Sequence, residues 1–288
     1  MPTRRTLPIA QRLLQTTFRL LSLIAPWLAV RWMYQLWFKS PRFTEPSREA
    51  AWAAVAARST LQHPLGEMVV YQWGNTGDPI VMLVHGWSGR ATQLGAFAEP
   101  LTQAGYCVIA FDAPGHGRSA GHSTTIMEIS DVLNKITELY GKPQAIIAHS
   151  FGCLASLYCI AHQRLMLQQL VCISAPSSAV YLVDNFARHL CVSARVKAAF
   201  MQKVEKIFGD NLWQRISASE NIQSAAFPVL IVHDQDDRDV DWQHAQWLAQ
   251  SGKNTQLYIT QGLGHRRILR DATVIQRIVN FIDRTPSA

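Results

Sequence analysis

The chain has 288 residues, 48% of them hydrophobic and 16% charged; this suits one large α/β domain or two small ones and excludes disorder or coiled coil for the whole. Its +7 charge lies in residues 1–48, which hold eight basic residues and one acid, Glu45, while the other 240 residues balance at nineteen of each sign, so the basic body that marks nucleic-acid binding is absent. Five cysteines without CxxC or Cys/His metal spacing read as reduced thiols in a cytoplasmic setting, not as a disulfide scaffold or a zinc site.

Residues 7–38 come first. Leu7, Ala10, Leu14, Thr17, Leu21, Ile24 and Leu28 recur at three- and four-residue spacing, on one helical face. Arg5, Arg12 and Arg19 fall seven apart on another. The spacing predicts an amphipathic helix with a bend near Pro26, followed by Trp27, Trp32, Tyr34, Trp37 and Phe38. Three readings stay open. A secretory signal peptide fits poorly with Arg19, Pro26 and the want of a clean A-x-A site. A transmembrane span over 13–30 contains Gln15, Thr16, Thr17, Arg19 and Ser22, and a central Arg is costly there. A helix lying flat remains, either on a membrane surface, which basic and Trp residues favour, or packed on its own domain or a second subunit. Residues 1–60 form this basic, Trp-rich helical extension, and 61–288 the main domain.

From about residue 66 strands and helices alternate. Residues 67–73 read as an edge strand. Residues 80–85 (IVMLVH) are a short apolar run stopped by Gly86, the pattern of a buried parallel strand. A helix over 91–104, a strand over 107–112 and a helix over 124–140 follow. Next come strand 145–149, helix 151–162, strand 170–174, strands at 228–233 and 256–260, and a closing helix over 268–282. Such alternation predicts a doubly wound, mostly parallel sheet with helices on both faces. Residues 176–226 interrupt it with helical spacing and no clear strand, so they read as a small helical cap inserted over the sheet's carboxyl end.

The chemistry gathers at strand ends. Ser150 lies in AIIAHSFG (145–152), between a strand and a helix. The pattern Ala148-His149-Ser150-Phe151-Gly152 is similar to the G-x-S-x-G nucleophile elbow, with Ala in place of the first Gly. Small neighbours are needed because the tight turn strains the Ser backbone, and the following helix N-terminus favours developing negative charge. Read alone, Ser150 could equally cap a buried helix. His85-Gly86-Trp87 ends an earlier strand, and FDAPGHGRS (111–119) forms a Gly- and Pro-rich loop.

With these motifs the chain resembles the α/β-hydrolase fold superfamily over about residues 66–284. The resemblance implies an oxyanion hole built from the backbone N–H groups of Trp87 and Phe151. It implies that the D-x-P-G-x-G-x-S loop is structural, with His116 a loop residue. VHDQDDRDV (232–240) is similar to the family's H-G/D-x-x-D-x-x-V loop, an alignment that selects Asp237 as the acid and keeps Asp234, Asp236 and Asp239 as lesser candidates. His265 in GLGH (262–265), after the last strand, is where the family places its base. His149 takes a packing or hydrogen-bonding role, Cys153 and Cys159 are buried small hydrophobes, and Trp213, Trp242 and Trp247 either line a pocket or pack.

The catalytic set implied is Ser150, Asp237 and His265, with no metal or organic cofactor. A Ser nucleophile argues against the dehalogenase and epoxide-hydrolase chemistries of the superfamily, which use Asp there. The expected activity is hydrolysis of a small-molecule carboxylic ester, with thioesters and lipid esters included. Acyl transfer or C–C cleavage with the same triad is one alternative, and a non-catalytic binding protein on this fold is another. No nucleic-acid partner is expected. The protein is placed in the cytoplasm, with peripheral contact through residues 1–40 at the inner membrane surface.

Overall fold

The computed structural model describes residues 9–162 and 165–283; Arg4, Arg5 and Leu7 of the N-terminal pattern lie outside them, as do residues 284–288. The chain opens with helices α1 (Ile9–Ile24) and α2 (Pro26–Trp37). Pro26 is the first residue of α2, where its missing N–H has no helical partner to lose, so the predicted bend is a break between two helices. A short α3 (Ser47–Ala54) precedes strands β1 (Ala57–His63), β2 (Gly66–Trp73) and β3 (Ile80–Val84). A 3-10 segment (Ala91–Phe97) then leads into α4 (Ala98–Gln103) and β4 (Cys107–Phe111). After them come α5 (Ile126–Tyr140), β5 (Ala145–His149), α6 (Phe151–His162) and β6 (Gln169–Ile173). Four helices follow: α7 (Ala179–Leu190), α8 (Ala194–Phe208), α9 (Leu212–Arg215) and α10 (Ala218–Asn221). The chain closes with β7 (Val229–Asp234), α11 (Gln243–Ser251), β8 (Thr255–Thr260), α12 (Gly264–Arg267) and α13 (Ala272–Asp283).

These elements form two compact units. One joins α1 and α2 to residues 179–214; the other holds 40–178 and everything after 214. The sequence-based division fell instead at residue 60 and at 176–226. The difference has local causes. α3 packs on the 3-10 segment, and the Trp73 indole donates to the Trp52 carbonyl at 3.0 Å, which ties residues 47–56 to the sheet unit. α10 packs on α6. In the smaller unit Trp37 meets Phe186 and Phe200 edge-on, with centroids 5.3 and 5.7 Å away, and Lys203 lies over the Tyr34 ring.

The sheet has eight strands in the order β1-β2-β4-β3-β5-β6-β7-β8. β1/β2 and β2/β4 are antiparallel, and every other pair is parallel. β2 is therefore an inner strand and β1 is the edge, which corrects the edge assignment of residues 67–73. β1 escaped sequence reading because ARSTLQH buries only Leu61. Alternation divides the central strands between two faces. Val81, Leu83, Ala145, Ile147, Val171, Ile173, Leu230 and Val232 share one core with Leu101 of α4 and Ile278 of α13. Met82, Ile146, Cys172 and Ile231 are equally buried and point to the opposite face by the two-residue period, where α6 packs on β3 and β5 and α5 on α6. Each fully buried aliphatic side chain stabilises the fold by about 1.5–3 kcal/mol relative to exposure. The strand order reverses between β3 and its neighbours β4 and β5, so the crevice at their carboxyl ends is the place where this architecture binds ligands.

Candidate active site

Ser150 sits at that crevice, between β5 and α6, with φ +52°. This is the left-handed region, strained for a residue with a Cβ. The turn is held by two backbone bonds: the Ser150 N–H donates to Ile173 O at 2.8 Å, and the Cys153 N–H donates to Ser150 O at 3.0 Å. Glycine is required twice. A Cβ on Gly152 would stand 2.6 Å from the carbonyl oxygens of Val84 and His85, and one on Gly86 would stand 3.0 Å from the Ser150 Cβ. The two glycines let the turn after β3 and the serine turn approach each other closely.

Trp87 lies in the turn after β3 and Phe151 is the first residue of α6. Their rings meet edge-on at 5.0 Å. The Phe151 N–H has no carbonyl one turn back within its helix. His85 braces the turn from behind: its Nε2 accepts the Ala113 N–H at 3.0 Å, so Nδ1 carries the proton and donates to Gly86 O at 2.8 Å. Burial, helped by His116, pushes the His85 pKa down to about 3, consistent with a neutral ring. The 111–119 loop is similarly knitted. Asp112 accepts the N–H groups of Ala91 and Arg118, and Ser119 Oγ donates to Asp112 O and accepts from the Val69 N–H. His116 Nδ1 bonds Pro114 O at 2.9 Å, and its ring packs on Trp87 and His85.

Asp237 and His265 are brought together, with Nδ1 to Oδ2 at 2.7 Å. The Asp237 side chain is wholly buried. Burial alone would raise its carboxyl pKa, but hydrogen bonds from His233 and His265, with the Val240 N–H, hold it well below the usual carboxylate range. Its Oδ1 accepts the N–H groups of Asp239 and Val240, each at 2.9 Å. His233 Nε2 faces two acceptors, Val240 O at 3.0 Å and Asp237 Oδ2 at 3.3 Å, and so carries its proton there. Sequence reasoning gave His233 no role.

The other acids of the loop have different work. Asp234 accepts from the N–H groups of Gly264, Leu263 and Asp236 and from the Thr260 hydroxyl. Asp236 accepts the Gly262 N–H at 2.9 Å. Both carboxylates therefore fasten the loop that carries His265, while Asp239 stays exposed. His149, the residue before the serine, supplies a further link. Its Nε2 donates to His265 O at 3.0 Å, and the two rings lie 4.6 Å apart. Burial and the neighbouring His265 hold the His149 pKa well below its ordinary value. Ser150 Oγ itself makes no hydrogen bond among the described residues.

The remaining sequence candidates differ in burial, Trp247 being about half exposed. Cys153 and Cys159 are buried free thiols on α6. Trp247 lies edge-on to His244 on α11, and Trp213 and Trp242 are half-buried.

A family model described as "Serine aminopeptidase, S33" matches residues 76–207. Over 98 residues the chain is 31% identical to a monoacylglycerol lipase of Mycolicibacterium smegmatis; the match covers 30% of this chain and 35% of that protein, about a third of the relative's length. The structure is similar to an esterase of Pyrococcus furiosus (TM-score 0.64, 20% identity, 85% of this chain and 98% of that one). It is also similar to a bacterial membrane phospholipase A (TM-score 0.62, 15% identity, 96% of this chain and 98% of that one). A sheet of this order, with a strained serine at a strand-to-helix turn, is the architecture that these solved structures share: the chain has the α/β-hydrolase fold.

Proposed function

We propose that the protein is a serine hydrolase of carboxylic esters, acting through an acyl-enzyme. The observation that carries this reading is the Asp237–His265 pair at 2.7 Å, on a loop that His149 links to the strained Ser150 turn. With its Nδ1–H donating a hydrogen bond to Asp237, His265 leaves Nε2 free to accept. Ser150 Oγ attacks the acyl carbonyl while His265 takes its proton. The Trp87 and Phe151 N–H groups hold the oxyanion, and loss of one such donor costs about 3 kcal/mol of transition-state stabilisation. Collapse expels the alcohol, which takes the proton from His265. Water then repeats the sequence, releasing the acid and restoring Ser150. Asp237 keeps the ring in its tautomer and stabilises the imidazolium.

The substrate class we favour is an acyl-chain ester, thioesters and lipid esters included. Peripheral membrane contact through residues 1–40, on the cytoplasmic side, goes with that choice. Recovery of the protein on the far side of that membrane would refute the location.

The test is covalent. A fluorophosphonate should form an adduct at Ser150, located by mass spectrometry, that is lost in Ser150→Ala and strongly slowed in His265→Ala. No adduct in folded protein would overturn the reading. An ester panel, run with acceptor alcohols and with aminoacyl anilides, then separates hydrolysis from acyl transfer and from the aminopeptidase activity named for the matching family model.

A further inference from the structure

The smaller unit carries a helix that leaves a large part of its apolar surface facing outward. On α1, Ile9, Leu13, Leu20 and Ile24 recur at intervals of four, seven and four, so they share a face. With Leu23 and Trp27 they form a stripe whose members are between 54% and 79% exposed. The inward side is mixed: Phe18 is buried and Leu14 and Leu21 half-buried, beside polar groups. Gln15 Nε2 donates to His189 O at 2.9 Å, Gln11 bonds the His189 ring, and Ser22 Oγ accepts the Ser193 N–H at 3.3 Å. Phe18 alone on this helix is fully buried. A helix that served only to pack on its own unit would turn its apolar stripe inward. Contiguous apolar residues left in water mark an interaction surface.

Charge decides what covers it. Arg12 and Arg19 each precede a stripe residue and flank it on one side, Arg31 is exposed on α2, and no acid occurs before Glu45. A second copy of the chain, seated face to face, would set arginines against arginines with no acid on α1 or α2 to pair them. An anionic bilayer supplies both an apolar layer and the opposite charge. Trp27 and half-exposed Trp32 suit the headgroup boundary. Among the described residues no helix is long and apolar enough to cross a membrane. In-plane burial of one face is the arrangement that remains for α1 at a bilayer.

We infer that the Ile9–Trp27 stripe, with Arg12 and Arg19 at its edge, is a docking surface for anionic lipid, α1 lying parallel to the bilayer with its outer face among the acyl chains. This rests on the membrane contact proposed above and is independent of the triad.

The test is flotation of the full-length protein with vesicles of phosphatidylcholine alone, or with about one quarter phosphatidylglycerol. The expected result is binding to the anionic vesicles with weak binding to the neutral ones. Leu20→Glu and Leu23→Glu, at exposed positions where folding is undisturbed, should each lower partitioning at least about tenfold. Arg12→Gln and Arg19→Gln should each lower it about fivefold, and only on anionic vesicles. Circular dichroism melts that match the unaltered protein show that each variant is folded. Flotation that survives both Leu substitutions overturns the surface but leaves membrane contact standing. Equal binding to neutral and anionic vesicles overturns the role of the arginines. No flotation, with Leu20→Glu instead dissolving a dimer in sedimentation, overturns the lipid and assigns the face to a second copy. No flotation by a monomer overturns membrane contact altogether, and fluorophosphonate labelling of that same protein still reports on the triad.

Discussion

Replacing Asp237 by Asn strikes the proposed triad where its geometry is tightest. The carboxylate meets four donors: His265 Nδ1 at 2.7 Å, His233 Nε2 at 3.3 Å, and the N–H groups of Asp239 and Val240 at 2.9 Å each. Asn can keep its oxygen on the two backbone N–H groups. Its NH2 then faces two ring N–H groups, donor against donor. His265 relieves the clash by moving its proton to Nε2, the nitrogen that must accept from Ser150. In a serine protease triad the same acid-to-amide change lowers kcat about 10,000-fold, which corresponds to about 5.5 kcal/mol. We expect a loss of that order at neutral pH, read as the second-order rate of fluorophosphonate labelling and as ester turnover. KM should move little, because Asp237 is wholly buried and offers substrate no contact. Asp239→Asn, in the same loop but exposed, should stay within about threefold of the unaltered rate. A loss below about tenfold in Asp237→Asn would refute the reasoning, since the acid could not then be setting the tautomer.

Three further outcomes follow from the geometry. Gly152→Ala puts a Cβ against two carbonyl oxygens of the turn after β3 and should destabilise by about 1–3 kcal/mol, seen as a lower urea midpoint at unchanged slope; a neutral effect would mean that the close approach is not needed. His149→Phe keeps a ring beside His265 but deletes the bond to its carbonyl. Labelling of Ser150 should slow about fivefold, the worth of one hydrogen bond of about 1 kcal/mol, and an unchanged rate would rule out a positioning role. Buried His85 and His116 have pKa values of about 3 and about 4 against an ordinary 6.5. They bind fewer protons folded than unfolded, so stability falls as pH drops from about 6.5 toward 4, by about 1.4 kcal/mol per pH unit for each group. Asp112, raised to about 6 by burial, opposes one of them below that pH. His149 and His244, also held below 6.5 by burial, add to the fall, so the loss of unfolding free energy between pH 6.5 and 5 should shrink in His116→Asn without vanishing, and an unchanged slope would count against a neutral buried His116.

The parallel core was legible because its strands are short apolar runs stopped by turn residues, and the strained turn at Ser150 was legible because it follows such a run directly. What escaped was set by partners distant in the chain. β1 pairs with β2 through its backbone and shows no alternation that a reader of ARSTLQH could find. The spacing of residues 7–38 predicted one helix bent near Pro26 where the structure has two, and nothing in it pointed to α7 and α8, more than 140 residues on. The acidic loop was half legible. Four acids in six positions could be ranked only through the family resemblance. The roles of Asp234 and Asp236 depend on N–H groups of residues 262–264, which become visible only once β7 and β8 lie side by side. His149 was read as a packing or hydrogen-bonding residue, without any sign that its partner is the His265 carbonyl.

Backbone strain is distributed in a way that ties fold to site. Ser88, Ser150 and Ser174 have φ of +56°, +52° and +51°. They follow β3, β5 and β6, three strands adjacent in the sheet, so the strain lies along one stretch of its carboxyl edge. Each non-glycine residue in this region costs about 1–2 kcal/mol, and nothing local compensates a serine for it. The surrounding sheet does. The Ser150 N–H is held by β6 and the Ser174 N–H by Val232 of β7, both at 2.8 Å, so these two strained turns are each fixed by the next strand along. A parallel sheet with side chains packed on both faces can absorb such a cost because its register cannot slip without exposing a whole row of core residues. The rigidity that hydrophobic burial gives the strands is thus what holds the serine in a conformation that it would not adopt in a free chain.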